Sequence, residues 1–164
     1  MTRATTARSS AADFNRRVIA EFRANAGRVG GPLTGTPMIL IHHTGAKSGI
    51  ERVTPLACSP QGDRRYAIVA SNGGSPTHPG WYYNLKANPT IEVEFGAETF
   101  IVLAEELEGP ARDALWPKLL AASPSLDGFQ ATAARRIPLF MLTPADGRER
   151  VRPSGTGTGR EAPT

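Results

Sequence analysis

An α+β chain, mainly β, built as a small barrel of about six mostly antiparallel strands with peripheral helices, is the fold this sequence predicts. Two observations carry that prediction. Short apolar or alternating runs are joined by tight turn signals, as in hairpins. Strand and helix do not alternate, so a doubly wound parallel sheet is excluded.

The elements follow in order. Residues 1–9 are small, polar and basic. A helix is expected from Ser10, where Asp13 follows at capping-box spacing and Phe14, Val18 and Phe22 recur every four residues, with Ile19 beside them. It ends near Ala26–Gly27, before a loop holding Gly30, Gly31 and Pro32. Met38 to His42 is an apolar run entering the turn Gly45–Gly49, and Arg52 to Cys58 is its hairpin partner. Gln61-Gly62-Asp63 turns into a third strand, Tyr66 to Ala70. Ser71 to Gly80 is loop, and Trp81 to Ala87 a short helix stopped by Asn88-Pro89. Ile91, Val93 and Phe95 alternate with Glu92 and Glu94, which predicts a strand with one wet face. Thr99 to Leu107 is its partner. Helices follow over Pro110 to Ala122 and from Pro124 to about Arg135, and Ile137 to Leu142 is the last strand. The domain is expected over 13–144, with disordered segments at 1–12 and 145–164.

A length of 164 residues fits one domain, and 40% apolar residues are enough for one core. No apolar run approaches the ~20 residues of a membrane span, and Met1 to Ala12 lacks the apolar centre of a secretory signal. A soluble, cytoplasmic protein is expected. The single cysteine, Cys58, excludes an internal disulfide and a cysteine-built metal site. Residues 1–52 hold eight Lys and Arg against Asp13, Glu21 and Glu51. That excess suits an anionic partner, or serves only solubility. A nucleic-acid module lacks support, because no aromatic-basic recognition motif is present.

Three segments carry candidate chemistry. In Gly45-Ala46-Lys47-Ser48-Gly49 the glycines allow positive φ and close approach, and successive N–H groups can form an anion nest. Lys47 adds charge, Ser48 a hydroxyl, and Arg52 a guanidinium for the same phosphate or carboxylate. The spacing is not that of a P-loop, and the segment also reads as an ordinary hairpin turn. Ser71-Asn72-Gly73-Gly74 offers donors and glycines beside a flat ring, or is a loop that needs positive φ. Pro79 to Leu85 brings Trp81, Tyr82 and Tyr83, which wall a planar heterocycle, with at least one of these rings expected in the core. His42 and His43 point to opposite faces of a strand and make poor joint metal ligands, so no metal is expected. Cys58 reads as a buried small residue rather than a nucleophile. No G-x-S-x-G elbow supports acyl transfer.

Taken together, the stretches His43–Leu56, Val69–Gly74, His78–Pro89, Leu115–Leu119 and Arg136–Pro144 resemble the deazaflavin (coenzyme F-420)-dependent nitroreductase family of actinobacterial split-barrel oxidoreductases. The likeness covers about residues 14–144. It implies a split β-barrel with the coenzyme in a groove. Lys47, Ser48, Gly49 and Arg52 would hold its phosphate and acidic tail, and Val53, Thr54 and Pro55 would lie along it. Ala70, Ser71 and Asn72 would sit near the deazaflavin ring, with Trp81, Tyr82 and Asn84 completing the pocket. Ser71 is the catalytic candidate, orienting the ring or stabilising developing negative charge. In relatives active on nitroaromatics, tyrosines stand in the late helical segment; here Ser123, Leu126 and Phe129 occupy those acceptor-side positions.

The resemblance implies hydride transfer from reduced coenzyme to a small-molecule acceptor, a quinone, enone or nitro compound. An FMN- or haem-binding split barrel and a non-catalytic cofactor-binding protein are the alternatives. The N-terminal helix is either a peripheral contact to an anionic membrane or a lid packed on the barrel. The oligomeric state is left open.

Overall fold

The computed structural model describes residues 2–145 and 152–153. Four helices accompany the strands among these residues: α1 (Thr2–Ala24), α2 (Gly80–Ala87), α3 (Gly109–Ala122) and α4 (Ser125–Ala133). The strands are β1 (Met38–Thr44), β2 (Glu51–Ala57), β3 (Ser59–Gly62), β4 (Arg65–Val69), β5 (Thr90–Phe95), β6 (Glu98–Leu107), β7 (Leu139–Pro144) and β8 (Arg152–Pro153). They form one antiparallel sheet in the order β2-β1-β5-β6-β7-β4-β3, with β8 added against β6 at Glu98 and Thr99.

The two ends of that order, β2 and β3, are consecutive in the chain and separated by Cys58 alone. One bent strand therefore serves both edges, and the sheet must curl until they meet. This is the barrel class that the hairpin signals predict. Six strands were expected; β3 was absorbed into the turn at Gln61-Gly62-Asp63, and β8 fell in the expected tail. The reversal itself uses Asp63 and Arg64, both at positive φ (55° and 60°), as a two-residue hairpin loop demands.

Strand alternation decides what lies where. Ile39 and Ile41 of β1 point into the barrel with Ile68, Ile91, Val93, Phe100, Val102, Phe140 and Leu142. Met38 and Leu40 point out and are covered by Val18, Phe22 and Val29. A third cluster packs Leu115, Leu119 and Leu126 of α3 and α4 on Ala67 and Leu139. Each fully buried large side chain contributes about 1.5–3 kcal/mol.

Helix α1 starts at Thr2, ahead of the expected start at Ser10, so the described part of the expected disordered 1–12 segment is helical. Its Ala and Arg content (Arg3, Ala4, Ala7, Arg8, Ala11, Ala12) carries high helix propensity, which outweighed the polar threonines and serines. The far end stops at Ala26 and Gly27, where Gly27 has φ 93° and its N–H reaches the Phe22 carbonyl at 2.8 Å. A Cβ at Gly27 would lie 2.8 Å from the Gly96 Cα, so only glycine lets the helix end sit on the β5–β6 turn. Of the expected disordered 145–164 tail, all but Ala145 and the β8 pair lies outside the described residues.

The wet face expected for β5 is corrected at Glu94, which is 4% exposed. Helix α1 crosses that face, and Arg23 donates to both Glu94 carboxylate oxygens (3.0 and 2.6 Å) while His42 Nε2 contacts Oε2 at 2.7 Å. Alternation alone cannot show that a covering helix brings its own counterion. Removing the charge would leave a cation facing an uncharged buried amide. Glu94→Gln is expected to destabilise the fold by about 2–4 kcal/mol, read as a shift in the urea midpoint, with Arg23→Gln milder because Arg23 is part-exposed.

Candidate functional site

The β1–β2 hairpin tip is built from its own backbone. The Gly45 N–H donates to the Ile50 carbonyl, the Gly49 N–H to the Gly45 carbonyl (both 2.9 Å), and the Ile50 N–H to Ser48 Oγ at 3.1 Å. Gly49 takes φ 72°, and a Cβ at Gly45 would fall 2.3 Å from Ser48 Oγ. The Ala46 N–H donates to Asn84 Oδ1 at 2.9 Å, so α2 braces the tip from the side. Among the described residues, the N–H groups of Lys47 and Ser48 and the Lys47 and Arg52 side chains have no hydrogen-bond or ion-pair partner. All lie exposed at one end of the barrel.

Two histidines stand at the base of this hairpin on opposite faces. His42 faces outward to Glu94 and to Glu51, whose Oε2 is 3.0 Å from Nδ1. Burial, the largest single cause, would lower its pKa, but the hydrogen bonds to Glu94 and Glu51 together with the charges of Glu94 and Glu92 hold it above the ordinary value. His43 faces inward, with Nε2 2.8 Å from Thr54 Oγ1 and Nδ1 2.9 Å from the Asn84 amide. Burial, aided by the Arg52 charge, pushes its pKa down to about 4. His43 is thus neutral at physiological pH and fixes Asn84, which fixes the tip.

A cleft of about 600 Å³ opens further along β2. Its floor is the outer wall of the barrel, from Pro55 to Pro60 with Ala67 and Val69; α1 closes one side and α3–α4 the other. Pro55, Ser71, Ser123, Leu126 and Phe129 all line it. Phe14 of α1, 41% exposed, lines it too. Cys58 lies on the floor, and burial pushes its thiol up to about 12.

The structure therefore gathers the expected residues into two places. Lys47, Ser48, Gly49 and Arg52 form the tip; Pro55, Ser71, Ser123, Leu126 and Phe129 form the cleft. Thr54 points inward and bonds His43, on neither the tip nor the cleft, whereas Val53 turns outward to the α1 cluster. Ala70 is buried, and Asn72, at φ 50°, donates to the Thr77 carbonyl at 3.0 Å. Trp81 is 8% exposed inside the barrel, 5.9 Å from Phe140, so it is the core ring of the three. Tyr82 donates to Glu106 and stacks on His78 at 4.1 Å. The residue that sequence reasoning missed is Arg135. It bonds the Ser71 carbonyl at 3.0 Å and holds the loop that carries Ser71. Its signal in the sequence was only a cation after a helix end.

A curled antiparallel barrel with a basic, glycine-bounded tip and an apolar cleft beside it belongs to the split-barrel class. The model of the F420H(2)-dependent quinone reductase family matches residues 14–144, and the chain belongs to that family. It is 39% identical over 126 residues to an F420H(2)-dependent quinone reductase of Mycobacterium tuberculosis, covering 74% of this chain and 84% of the relative. A solved F420-H2 dependent reductase, FDR-A, superposes with a TM-score of 0.59 at 42% identity, covering 65% of this chain and 93% of the other. The haem storage protein HutZ of Vibrio cholerae shares the fold alone, with a TM-score of 0.54 at 16% identity over 84% of this chain and 92% of its own. The protein is an oxidoreductase that depends on coenzyme F-420.

The depressed His43 pKa has a thermodynamic consequence. Between pH 6.5 and about 4 the unfolded chain takes up a proton that folded His43 refuses, so its contribution to stability is lost as pH falls through that window. His42, shifted the other way, opposes this: its stabilisation is complete below its ordinary pKa and is lost as pH rises through the higher folded value. His43→Gln is expected to flatten the acid side of the stability profile by on the order of 3 kcal/mol. Thermal melts of both proteins from pH 7 to pH 4 measure it.

Proposed function

We propose that this protein transfers hydride from reduced coenzyme F-420 to a hydrophobic quinone, with the anionic end of the coenzyme on the hairpin tip and the acceptor in the cleft. The observation that carries this reading is the layout along β2. Arg52 and Ala57, at opposite ends of the strand, are separated by about 16 Å at ~3.3 Å per residue. Their side chains project to opposite faces, and β2 is an edge of the sheet order, so a coenzyme held by its anionic end on the tip would pass over that edge before its reacting end meets an acceptor in the cleft.

The donor set fits an anionic group: two open N–H groups, one ammonium and one guanidinium, all without a carboxylate partner among the described residues. When bound, a deazaflavin supplies two electrons as a hydride, because carbon replaces the reactive N5 of a flavin. The chain supplies position. Lys47, Ser48, Gly49 and Arg52 would hold the phosphate and acidic tail, and His43 and Asn84 keep that tip in place. Thr54 and Pro55 border the path between tip and cleft. Ala70 and Asn72 shape the loop on which Ser71 offers its hydroxyl. Reduction of a quinone takes one proton besides the hydride, and a hydroxyl donor aimed at the developing oxyanion stabilises it in an apolar surround. Leu126 and Phe129 exclude water from the acceptor. Helix α1 acts as the lid of this cleft, and Phe14 beside Arg17 offers an anionic membrane surface a contact through which a quinone would enter.

Two experiments test the reading. Lys47→Ala and Arg52→Ala are each expected to weaken binding of oxidised coenzyme F-420 about 10- to 100-fold, since a charge-assisted contact contributes roughly 1.5–3 kcal/mol. High salt should weaken wild-type binding and shrink these differences. Fluorescence titration measures both, and unchanged affinity would reduce the tip to an ordinary turn. On the acceptor side, Ser123, Leu126 and Phe129 lack phenol donors, and losing one preorganised donor costs roughly 10²–10³ in rate. Bicyclic nitroimidazoles should be reduced slowly beside hydrophobic quinones. Phe129→Tyr should raise nitro-reduction with little change in coenzyme affinity; steady-state kinetics showing comparable wild-type turnover of both acceptors would refute the argument.

A further inference from the structure

Ser71 lines the cleft, yet what holds it lies outside. Arg135 follows α4 directly, after Ala134 (φ 56°) has turned the chain out of the helix. Its Nη2 donates to the carbonyl oxygens of Ser71 (3.0 Å) and Ala70 (3.3 Å), and its Nε to the Ser75 carbonyl (3.0 Å). Nη1 lies 2.9 Å from the Nδ1 of His78. A guanidinium only donates, so Nδ1 is the acceptor and the neutral ring carries its proton on Nε2. These four acceptors span the connection from the end of β4 almost to the start of α2.

The same connection docks on α4 at a second point. Thr132 Oγ1 lies 3.2 Å from the Gly74 carbonyl oxygen, which shares the hydroxyl's single proton with the Gly128 and Phe129 carbonyls of α4 at 3.2 and 3.3 Å. Gly74 has φ 85°, and a Cβ there would fall 2.5 Å from Thr132 Oγ1 and 3.2 Å from the Phe129 Cα. Ser71 and Phe129, both on the cleft, therefore belong to one clamped unit. A lysine in place of Arg135 keeps the charge but not the planar fork that reaches four acceptors in fixed directions. No carboxylate pairs with Arg135 among the described residues, so its hydrogen-bonding capacity goes to this loop.

We propose that Arg135 is the positioning residue of this site: by clamping the 70–78 connection to the end of α4, it sets Ser71 at the spacing from the acceptor wall that hydride transfer requires. This rests on the quinone-reductase reading above. A misplacement of about 1 Å at a reacting centre can cost on the order of 100-fold in rate, so the clamp should appear in kcat more than in coenzyme affinity, which the hairpin tip governs. His78 gives a second signal. Burial, then the Arg135 charge, hold its pKa below the ordinary value against the opposing charge of Glu106, with the rings of Tyr82 and Tyr83 beside it.

The test uses the full chain with Arg135→Lys, Arg135→Gln, Ser71→Ala and the Arg135→Lys/Ser71→Ala double variant. Coenzyme affinity is read by titration, kcat and KM with menadione, and the His78 titration by NMR. Arg135→Lys is expected to lower kcat on the order of 10- to 100-fold with affinity changed less than about threefold. In the Ser71→Ala background the same change should lower kcat less than about threefold, because the group being positioned is gone. Arg135→Gln should move the His78 pKa up toward its ordinary value. Equal losses in both backgrounds, or an unchanged kcat in folded Arg135→Lys, overturn the proposal. If Arg135→Gln fails to fold, the lysine variant and the double variant decide. Wild type without turnover sinks the quinone-reductase reading, whereas active wild type beside equally active Arg135→Lys sinks only this one.

Discussion

The bend at Cys58 is the constraint on which the rest of the molecule depends. Two strands that follow each other in the chain sit at opposite ends of one sheet order, so the sheet has to close upon itself. Closure creates an inside for Ile39, Ile41 and Phe140 and an outside that α1, α3 and α4 must cover. It also sets the tip and much of the cleft floor along one strand, against which the 70–78 connection, α1, α3 and α4 complete the candidate site. The hairpin tip precedes β2, and the floor of the cleft is the end of β2, the bend and the start of β3. A shift of one residue in the β1–β2 register would exchange the two faces, sending Met38 and Leu40 into the barrel and His43 out of it.

The chain uses its basic excess in two different ways. Arg23 is spent on Glu94, where burial makes the pair structural and locks α1 to the barrel. Lys47 and Arg52 have no such partner among the described residues and stay exposed at the tip, where a cation retains its capacity for a ligand. His43 separates the two regimes. Kept neutral by burial and by Arg52, it bonds Thr54 and Asn84 without adding repulsion to a site that collects positive charge.

Much of this was legible in the sequence because it is local. The apolar run from Met38 to His42, the glycines bounding Lys47 and Ser48, and the four-residue spacing of Phe14, Val18 and Phe22 each encode their own element. What was illegible depends on which elements meet. Glu94 reads as a wet residue until α1 lies across it. Trp81 reads as a ring wall until the barrel closes around it. Arg135 is one arginine among many until α4 ends beside the Ser71 loop, a contact between residues more than sixty positions apart. The glycines at 27 and 74 likewise look like loop punctuation, though each is required by a backbone approach from elsewhere.

Burial at the bend also decides the chemistry of the cysteine there. Quinones are electrophiles that thiolates attack, and with the acceptor in the cleft, as proposed, a reactive cysteine on its floor would be alkylated. Cys58 lines the cleft, yet its thiol is held near pKa 12 by burial, with no base or cation bonded to it. At neutral pH the thiol form therefore prevails, and the thiolate is the reactive form. The burial that accompanies closure of the barrel thus keeps Cys58 inert toward such electrophiles.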